Sequence, residues 1–331
     1  MSNASKKTGF FNQVQAITEK VLTYRAQIRH IKREKQKKKK LLLDWIEAFV
    51  WAACMVLLAN QYLVQAYRIP SGSMIDTLNI GDHVFVNKIV YGPELLPGFA
   101  KLPSPIHPKR NDIVIFESPD YISRGTVFDI AQRIIYMLTL SLIDIDRDET
   151  GQQRVHFLIK RAIGEEGDRF LIENGDMKIK FAGEDRWIDE SIYNSSREWN
   201  HNISRLMKPE QYPALLAAGQ ARGWQDIGFP ISHELISRST LPENQYYSDS
   251  IAFHTSRLET TRKAVPHDRR YSQLLARYNL GWYVPQGRIF TLGDNRDSSN
   301  DGRFFGPVKL SKVLGKGMVI FWPHKRWGGI K

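Results

Sequence analysis

The chain has 331 residues, of which 42% are hydrophobic and 25% charged, so it can build one large domain or two ordinary ones and does not resemble a disordered chain. Its single cysteine, Cys54, excludes an internal disulfide framework and a cysteine-rich zinc site. The net charge of +12 is concentrated in residues 1–44, and the rest of the chain carries only +3. This distribution indicates a basic tail rather than a nucleic-acid-binding face, and we expect no nucleic acid partner.

An apolar segment at residues 45–67 directly follows this tail. As a helix it would rise about 35 Å, enough to cross a hydrocarbon layer of ~30 Å, and its polar residues lie toward its ends. A core helix of a soluble protein and a cleaved signal peptide are the alternatives, but a signal peptide has a much shorter region before its apolar part. We expect one transmembrane helix with residues 1–44 in the cytoplasm, because basic flanks stay on that side.

A second apolar run covers residues 134–143 and is too short to cross a membrane. It is therefore interpreted either as a buried helix or as a segment that lies on the phospholipid surface. We expect it, together with Trp322 and Trp327, to seat the folded domain on the membrane.

The rest of the chain predicts a mainly β domain that is interrupted by an insertion. Short β-branched runs bounded by Gly or Pro predict strands at 82–90, 112–116, 157–163 and 319–322. A hairpin is predicted at 170–179, with Asn174-Gly175 at its turn. Residues 169–287 are more polar and include helical patterns, so we expect a mixed α/β accessory insertion between 68–168 and 288–331.

Four short segments carry the residues with chemical potential. Residues 69–78 place two serines on a turn constrained by Pro and Gly, and residues 158–168 place Lys160 in an apolar strand, where a charged amine is costly. Residues 291–307 are rich in polar, turn-forming side chains, and 110–119 forms an apolar strand pattern. Each segment alone also fits an ordinary loop or a solvent-facing strand.

Taken together and in this order, the four segments resemble the bacterial type I signal peptidases, which are membrane-anchored proteases with a Ser/Lys dyad. Pro70–Leu78 is similar to the family pattern Pro-Ser-x-Ser-Met-x-Pro-Thr-Leu, and Lys160-Arg161 followed by Gly167-Asp168 is similar to the family's base strand. Gly293–Arg303 fits the run Gly-Asp-Asn-Arg-Asp-x-Ser-x-Asp-x-Arg.

The resemblance implies the signal-peptidase β fold and a serine endopeptidase that cleaves signal peptides from exported preproteins after Ala-x-Ala sequences. It also implies a single-pass protein of the bacterial inner membrane whose catalytic domain is extracytoplasmic. No cofactor or metal is expected.

The same resemblance assigns roles to individual residues. Ser73 is the nucleophile and Lys160 its general base, which requires burial to lower the lysine pKa from ~10.4 toward ~8. Ser299 orients the lysine, and Ser71 stabilises the oxyanion together with the Ser73 backbone N–H. Three charged residues support the site: Arg161, Asp301 and Arg303. Three apolar residues shape the pockets for small substrate side chains: Ile69, Leu78 and Ile159.

The sequence departs from the family pattern at three positions. Asp76 stands where proline is usual, and so does Glu166, while Gly302 replaces a typical serine. No catalytic group is lost, but the loss of proline at position 76 removes rigidity from the turn after Ser73.

Other functions fit part of the pattern. A Ser/Lys protease of the conjugation-pilus maturation type shares the chemistry, whereas the self-cleaving repressor type lacks a membrane anchor. A non-catalytic, export-associated binding module is a further alternative. A metalloprotease is poorly supported, because the His233-Glu234 motif continues with Ser at position 237. A calcium loop starting at Asp144 fails at its sixth and twelfth positions.

Overall fold

A long N-terminal helix contains both the basic tail and the apolar segment. The computed structural model describes residues 3–95, 101–152, 154–199, 201–241 and 249–330. Helix α1 runs from Asn3 to Tyr62, and its part Leu43–Tyr62 is long and apolar enough to cross a membrane. Residue contacts divide the chain into two units, Met1–Val56 and Leu57–Lys331, and every element after α1 belongs to the second.

The predicted end of the apolar helix at residue 67 was wrong. Strand β1 already begins at Val64 and runs to Arg68, paired with the strand that follows it. Gln65, Ala66 and Tyr67 are all buried in the folded unit. Leu63 and Val64 continue the apolar sequence past the end of the helix, and composition alone does not mark the junction.

Two antiparallel sheets contain the strands of the second unit. After β1 the strands are β2 His83–Asn87, β3 Ile113–Glu117, β4 Phe157–Gly164, β5 Arg169–Glu173, β6 Asp176–Lys180, β7 Ile188–Asp189, β8 Trp282–Tyr283, β9 Arg288–Leu292, β10 Val308–Lys309, β11 Val313–Trp322 and β12 Gly328–Gly329. The helices are α2 Thr126–Leu138, α3 Glu190–Ser196, α4 Tyr212–Asp226, α5 His233–Arg238, α6 Ser250–Ala264, α7 Arg269–Leu280 and α8 Gly302–Phe305. The prediction of a mainly β fold with helical parts is confirmed.

The larger sheet curls so that its first strand approaches its fifth. The strand order is β1-β2-β11-β3-β4-β9-β10, with β12 added to β11. Although three strands (β2, β11 and β3) lie between β1 and β4 in this order, the rings of Tyr67 and Phe157 lie 5.4 Å apart in an edge-to-face contact. Register shifts along β11 accompany this curvature, as bulges do in bent sheets.

Strand β4 is only half covered by its neighbours. Its residues from Phe157 to Arg161 pair with β3 on one edge, but pairing with β9 on the other edge begins only at Arg161. In the part of the chain that the structure describes, no strand therefore pairs with the other edge of Phe157–Lys160. An unpaired strand edge is a template for an added strand.

The insertion builds the second sheet and most of the helices. The sheet has the order β7-β6-β5-β8, and the predicted hairpin is present as β5 and β6, with Asn174 and Gly175 both at positive φ in the turn. Helices α4 and α6 pack closely at Gly219, where a Cβ would lie 2.6 Å from the Phe253 carbonyl oxygen. The proposed boundary between a catalytic domain and an accessory insertion at 169–287 stays a prediction.

Candidate active site

Ser73 lies on a short 3₁₀ turn, Gly72–Met74, that follows β1. The residue is 6% exposed, and Met74 beside it is part of the apolar core. Asn295 holds this turn from outside: its backbone N–H donates to the Ser73 carbonyl oxygen at 3.0 Å, and its side-chain amide donates to the Gly72 carbonyl oxygen at 3.0 Å. The hydroxyl is thus presented by a backbone that is fixed on two sides.

Lys160 reaches Ser73 from strand β4. Its side chain is 2% exposed, and Nζ donates to Ser73 Oγ at 2.6 Å and to the Ile159 carbonyl oxygen at 3.1 Å. The two residues are 87 positions apart in the chain, and the curl of the sheet brings them together. A serine hydroxyl and an amine within hydrogen-bond distance form a nucleophile–base pair.

Burial lowers the pKa of Lys160 to about 8, because removing an ammonium group from water disfavours its charged form. The carboxylates of Asp301 and Asp294 act in the opposite direction, and the Arg303 guanidinium lowers the pKa further. A substantial fraction of this amine is therefore neutral near pH 8, which an exposed lysine would not be.

A buried ion pair lies behind the lysine. The Arg161 guanidinium donates to both oxygens of Asp294, at 2.9 and 2.6 Å, and both residues are fully buried. Thr77 donates to the same carboxylate at 2.6 Å, and Asn111 accepts from the other side of the guanidinium. Arg161 neighbours Lys160 in β4, so this pair fixes the strand on which the base lies.

A second pair closes the site from the 293–303 loop. Asp301 accepts from the Arg303 guanidinium at 2.9 Å and from the Gly293 backbone N–H at 3.0 Å, and both side chains are buried. Arg303 lowers the pKa of the Asp301 carboxyl, and the Ser299 hydroxyl beside it adds to this effect. Ser299 Oγ is buried, but it has no hydrogen bond to Lys160 among the described residues, so its orienting role stays a prediction.

A cleft of about 210 Å³ opens at the dyad. Its walls come from the segment 67–74 on one side and the segment 154–160 on the other. Ser71 is exposed at the mouth, and its side chain makes no capping hydrogen bond to the turn. A hydroxyl in this position is available to a ligand that enters beside Ser73.

The three predicted pocket residues do not lie together. Ile69 and Ile159 both line the cleft, and their role in accepting substrate side chains stays a prediction. Leu78 is instead fully buried in the core cluster with Met74 and Ile113, beneath the turn, and is not among the lining residues. Its apolar side chain supports the nucleophile turn rather than the cleft wall.

Comparison with known proteins identifies the family. The sequence profile described as signal peptidase, peptidase S26, matches residues 42–322. The chain belongs to this family. It is 26% identical to signal peptidase I of Haemophilus influenzae over 84% of this chain and 69% of that protein, and 27% identical to signal peptidase I of Aquifex aeolicus over 82% and 80%. A solved signal peptidase I from Enterococcus faecalis V583 is 21% identical, covers 63% of this chain and 95% of that chain, and has a TM-score of 0.23.

The departures at Asp76 and Gly302 have structural reasons. Asp76 has φ of 77°, a conformation that proline cannot adopt, and its carboxylate accepts from the Asn202 side chain at 2.6 Å. A Cβ at Gly302 would lie 2.8 Å from the Thr291 carbonyl oxygen, so the serine typical of the family would not fit this packing. Glu166 is exposed and precedes Gly167, which has φ of 88°.

Sequence reasoning did not assign roles to three residues of the polar loop. Asp294 binds Arg161, Asn295 holds the Ser73 turn, and Arg296 makes a buried two-bond ion pair with Glu190 of α3. All three lie inside the run Gly293–Arg303 that carries the resemblance. Their position in that run was the available signal, but their partners lie far away in sequence.

In the described part of the chain, no group of three or more His, Cys, Asp or Glu side chains is arranged to hold a metal ion.

Proposed function

We propose that this signal peptidase is a membrane-anchored serine endopeptidase that removes signal peptides from exported preproteins, with Ser73 as nucleophile and Lys160 as general base. The observation that carries the assignment is the buried 2.6 Å contact between Lys160 Nζ and Ser73 Oγ. Burial alone does not single out this lysine, because Lys88 and Lys101 also have pKa values lowered to about 8 by desolvation. Lys88 bonds to Gln65 instead, and Lys101 to backbone carbonyls.

The reaction follows from this geometry. Neutral Lys160 accepts the Ser73 proton as Oγ attacks the carbonyl carbon of the scissile peptide bond. The Ser73 N–H and the Ser71 hydroxyl donate to the oxygen that becomes negative. The Lys160 ammonium then gives its proton to the leaving amine, which departs as the C–N bond breaks. A water molecule, deprotonated by Lys160, hydrolyses the resulting ester and frees Ser73.

The unpaired edge of Phe157–Lys160 suits an extended substrate. This strand edge lines the cleft, and Ile69 and Pro70 also line the cleft. A substrate strand that adds to this edge places alternate side chains against the cleft walls. We propose that Ile69 and Ile159 limit the size of these side chains, because larger groups clash, and that this accounts for Ala-x-Ala selectivity.

The pH dependence of cleavage tests the assignment of the base. We expect kcat/KM for a synthetic Ala-x-Ala signal peptide to rise about tenfold per pH unit below pH 8 and to level off above it, because only neutral Lys160 accepts the serine proton. The measurement is an initial-rate profile of the full-length protein in detergent.

Lys88 provides the matched control for this profile, because its buried amine has a similarly lowered pKa but lies away from Ser73. Lys88→Met is expected to leave the inflection near pH 8. An inflection near the ordinary lysine value of 10.5, or one that disappears in Lys88→Met, would contradict the role of Lys160.

We further propose that the protein is a single-pass protein of the inner membrane, with the basic tail in the cytoplasm and the dyad outside. The twelve basic residues of the tail support this orientation through the positive-inside rule. Only ten residues separate Tyr62 from Ser73, so the nucleophile follows closely on the apolar helix. In this orientation the dyad lies near the outer surface of the membrane, where the cleavage sites of preproteins emerge.

The region around the end of α2 also supports contact with lipid, because polar side chains are buried there and apolar side chains are exposed. Asp146 is fully buried against His156 at 2.8 Å, and Asp144 accepts from Gln132 at 2.8 Å. The apolar side chains around them point to solvent: Leu138, Leu140, Leu142, Ile143 and Ile145. Such an exposed apolar patch is typical of an interaction surface. Trp322 and Trp327 are exposed as well.

Fluorescence quenching in lipid vesicles tests this seating. In a Cys54→Ala background, a fluorophore on Leu142→Cys is expected to be quenched by lipid-borne quenchers, because the exposed side chain would enter the interface. A fluorophore on Asp185→Cys, an exposed site in the insertion, serves as the control and should not be quenched. Equal quenching at the two positions would contradict the seating by residues 138–145.

A further inference from the structure

The insertion returns to the catalytic loop through a short extended segment, residues 202–207, which we call the docking segment. Ser204 forms an isolated parallel bridge with Asn295: its N–H donates to the Asp294 carbonyl oxygen at 2.9 Å, and the Arg296 N–H donates to the Ser204 carbonyl oxygen at 3.0 Å. The N–H groups of Leu206 and Met207 donate to Asp297 at 2.7 and 2.9 Å. The loop that carries Asp294–Asp297 is thus hydrogen-bonded to the insertion along its length.

Arg205 connects this contact to the rest of the insertion. Its guanidinium binds Asp297 at 2.9 Å and Asp249, the N-cap of α6, at 3.2 Å. It also donates to the Gly175 carbonyl oxygen in the β5–β6 turn and to the Tyr212 hydroxyl at the start of α4. One largely buried side chain therefore joins the hairpin, two helices and the catalytic loop.

The opposite face of the same loop holds the nucleophile. Asn295 binds the carbonyl oxygens of Gly72 and Ser73, and Asp294 binds Arg161 beside the base. The docking segment also reaches the turn directly, because Asn202 donates to Asp76 three residues after Ser73. A displacement of the docking segment would therefore change the position of Ser73 through a chain of two hydrogen-bonded contacts.

We propose that the docking segment, anchored by Arg205, is a positioning element that sets the backbone of Ser73 against Lys160. The proposal rests on the proposed function and adds a role for the insertion in it. Positioning matters because a displacement of about 1 Å at a reacting atom lowers rates by roughly 10²-fold. Among the described residues, Arg205 makes no hydrogen bond to the dyad and is not part of the cleft lining, so it acts through the loop and not on the substrate.

The test compares kcat and KM of the full-length protein in detergent, with a synthetic Ala-x-Ala signal peptide as substrate. Arg205→Ala is expected to lower kcat by about 10- to 100-fold and to leave KM unchanged, because the cleft between β1 and β4 is untouched. Arg205→Lys should recover part of kcat, since it keeps the charge next to Asp297 but loses the forked geometry. Arg257→Ala breaks an ion pair with Asp226 elsewhere in the insertion and should behave as wild type.

Thermal unfolding of each variant separates positioning from loss of fold. If Arg205→Ala unfolds, the decisive variant is Asp297→Asn, which keeps the side-chain volume and weakens the contacts to Arg205 and to the docking segment. Unchanged kcat in folded Arg205→Ala or Asp297→Asn would overturn the proposal, and so would a rise in KM with kcat retained. If the wild type itself does not cleave the peptide, the proposed function fails instead.

Discussion

Replacing Ser73 or Lys160 by alanine is expected to lower the rate of signal-peptide cleavage by about 10³-fold or more. Without the hydroxyl no ester intermediate forms, and without the amine Oγ loses the base that lies 2.6 Å away. The double variant should be little worse than either single one, because the pair acts as a unit. The measurement is single-turnover cleavage of a synthetic Ala-x-Ala peptide by full-length protein in detergent.

Two further variants make this result specific to the dyad. Lys88→Met removes another buried amine with a lowered pKa and should retain near wild-type activity. Lys160→Arg keeps a positive charge that does not deprotonate, and should be as inactive as Lys160→Ala. Cleavage that persists in Ser73→Ala, or in both Lys160 variants, would exclude the proposed chemistry, whereas a wild-type protein that does not cleave the peptide would favour a binding role.

The buried pair between Arg161 and Asp294 predicts the largest effect on stability. Asp294→Ala is expected to lower the free energy of unfolding by about 3–5 kcal/mol, because it leaves a fully buried guanidinium without its carboxylate. Activity should fall as well, since the Lys160 strand and the Asn295 loop both lose a fixed point. Urea unfolding of the full-length protein in detergent, followed by tryptophan fluorescence, provides the measurement.

An exposed pair provides the control for this stability prediction. Asp185 binds Lys180 at 3.0 Å on the surface of the insertion, and Asp185→Ala should not change the unfolding midpoint measurably. A double variant Arg161→Met/Asp294→Leu should recover much of the lost stability without the activity, because it leaves no unpaired charge. An Asp294→Ala protein as stable as the Asp185→Ala control would contradict this account of the pair.

Local sequence patterns predicted the strands better than their ends or their assembly. The β-branched run at 157–163 became β4, and Asn174-Gly175 became the hairpin turn, because both depend on neighbouring residues only. The junction of α1 with β1 was misplaced, because Gln65–Tyr67 owe their burial to partners elsewhere in the fold.

The site was predicted in part for the same reason. Motif resemblance pointed to Ser73 and Lys160, but their contact spans 87 residues and exists only because the sheet curls. Asn295 lies 223 residues from Gly72, and no pattern around either residue encodes that hydrogen bond. Leu78 was assigned to the cleft from its place in a motif, whereas its side chain packs in the core beneath the turn.

The bare edge of β4 has a consequence for which preproteins this enzyme accepts. It presents backbone N–H and C=O groups along about four residues, or ~13 Å, to an extended peptide that has the same rise per residue. A peptide in an α-helix already uses its backbone N–H and C=O groups within the helix and has a shorter rise per residue. It therefore forms no hydrogen bonds with this strand edge. We therefore expect the residues before the scissile bond to leave any helical conformation before they bind, and helix-disrupting Gly or Pro at that point of a leader sequence to speed processing. Selection among preproteins would then depend first on the backbone conformation of the leader sequence and only afterwards on its side chains.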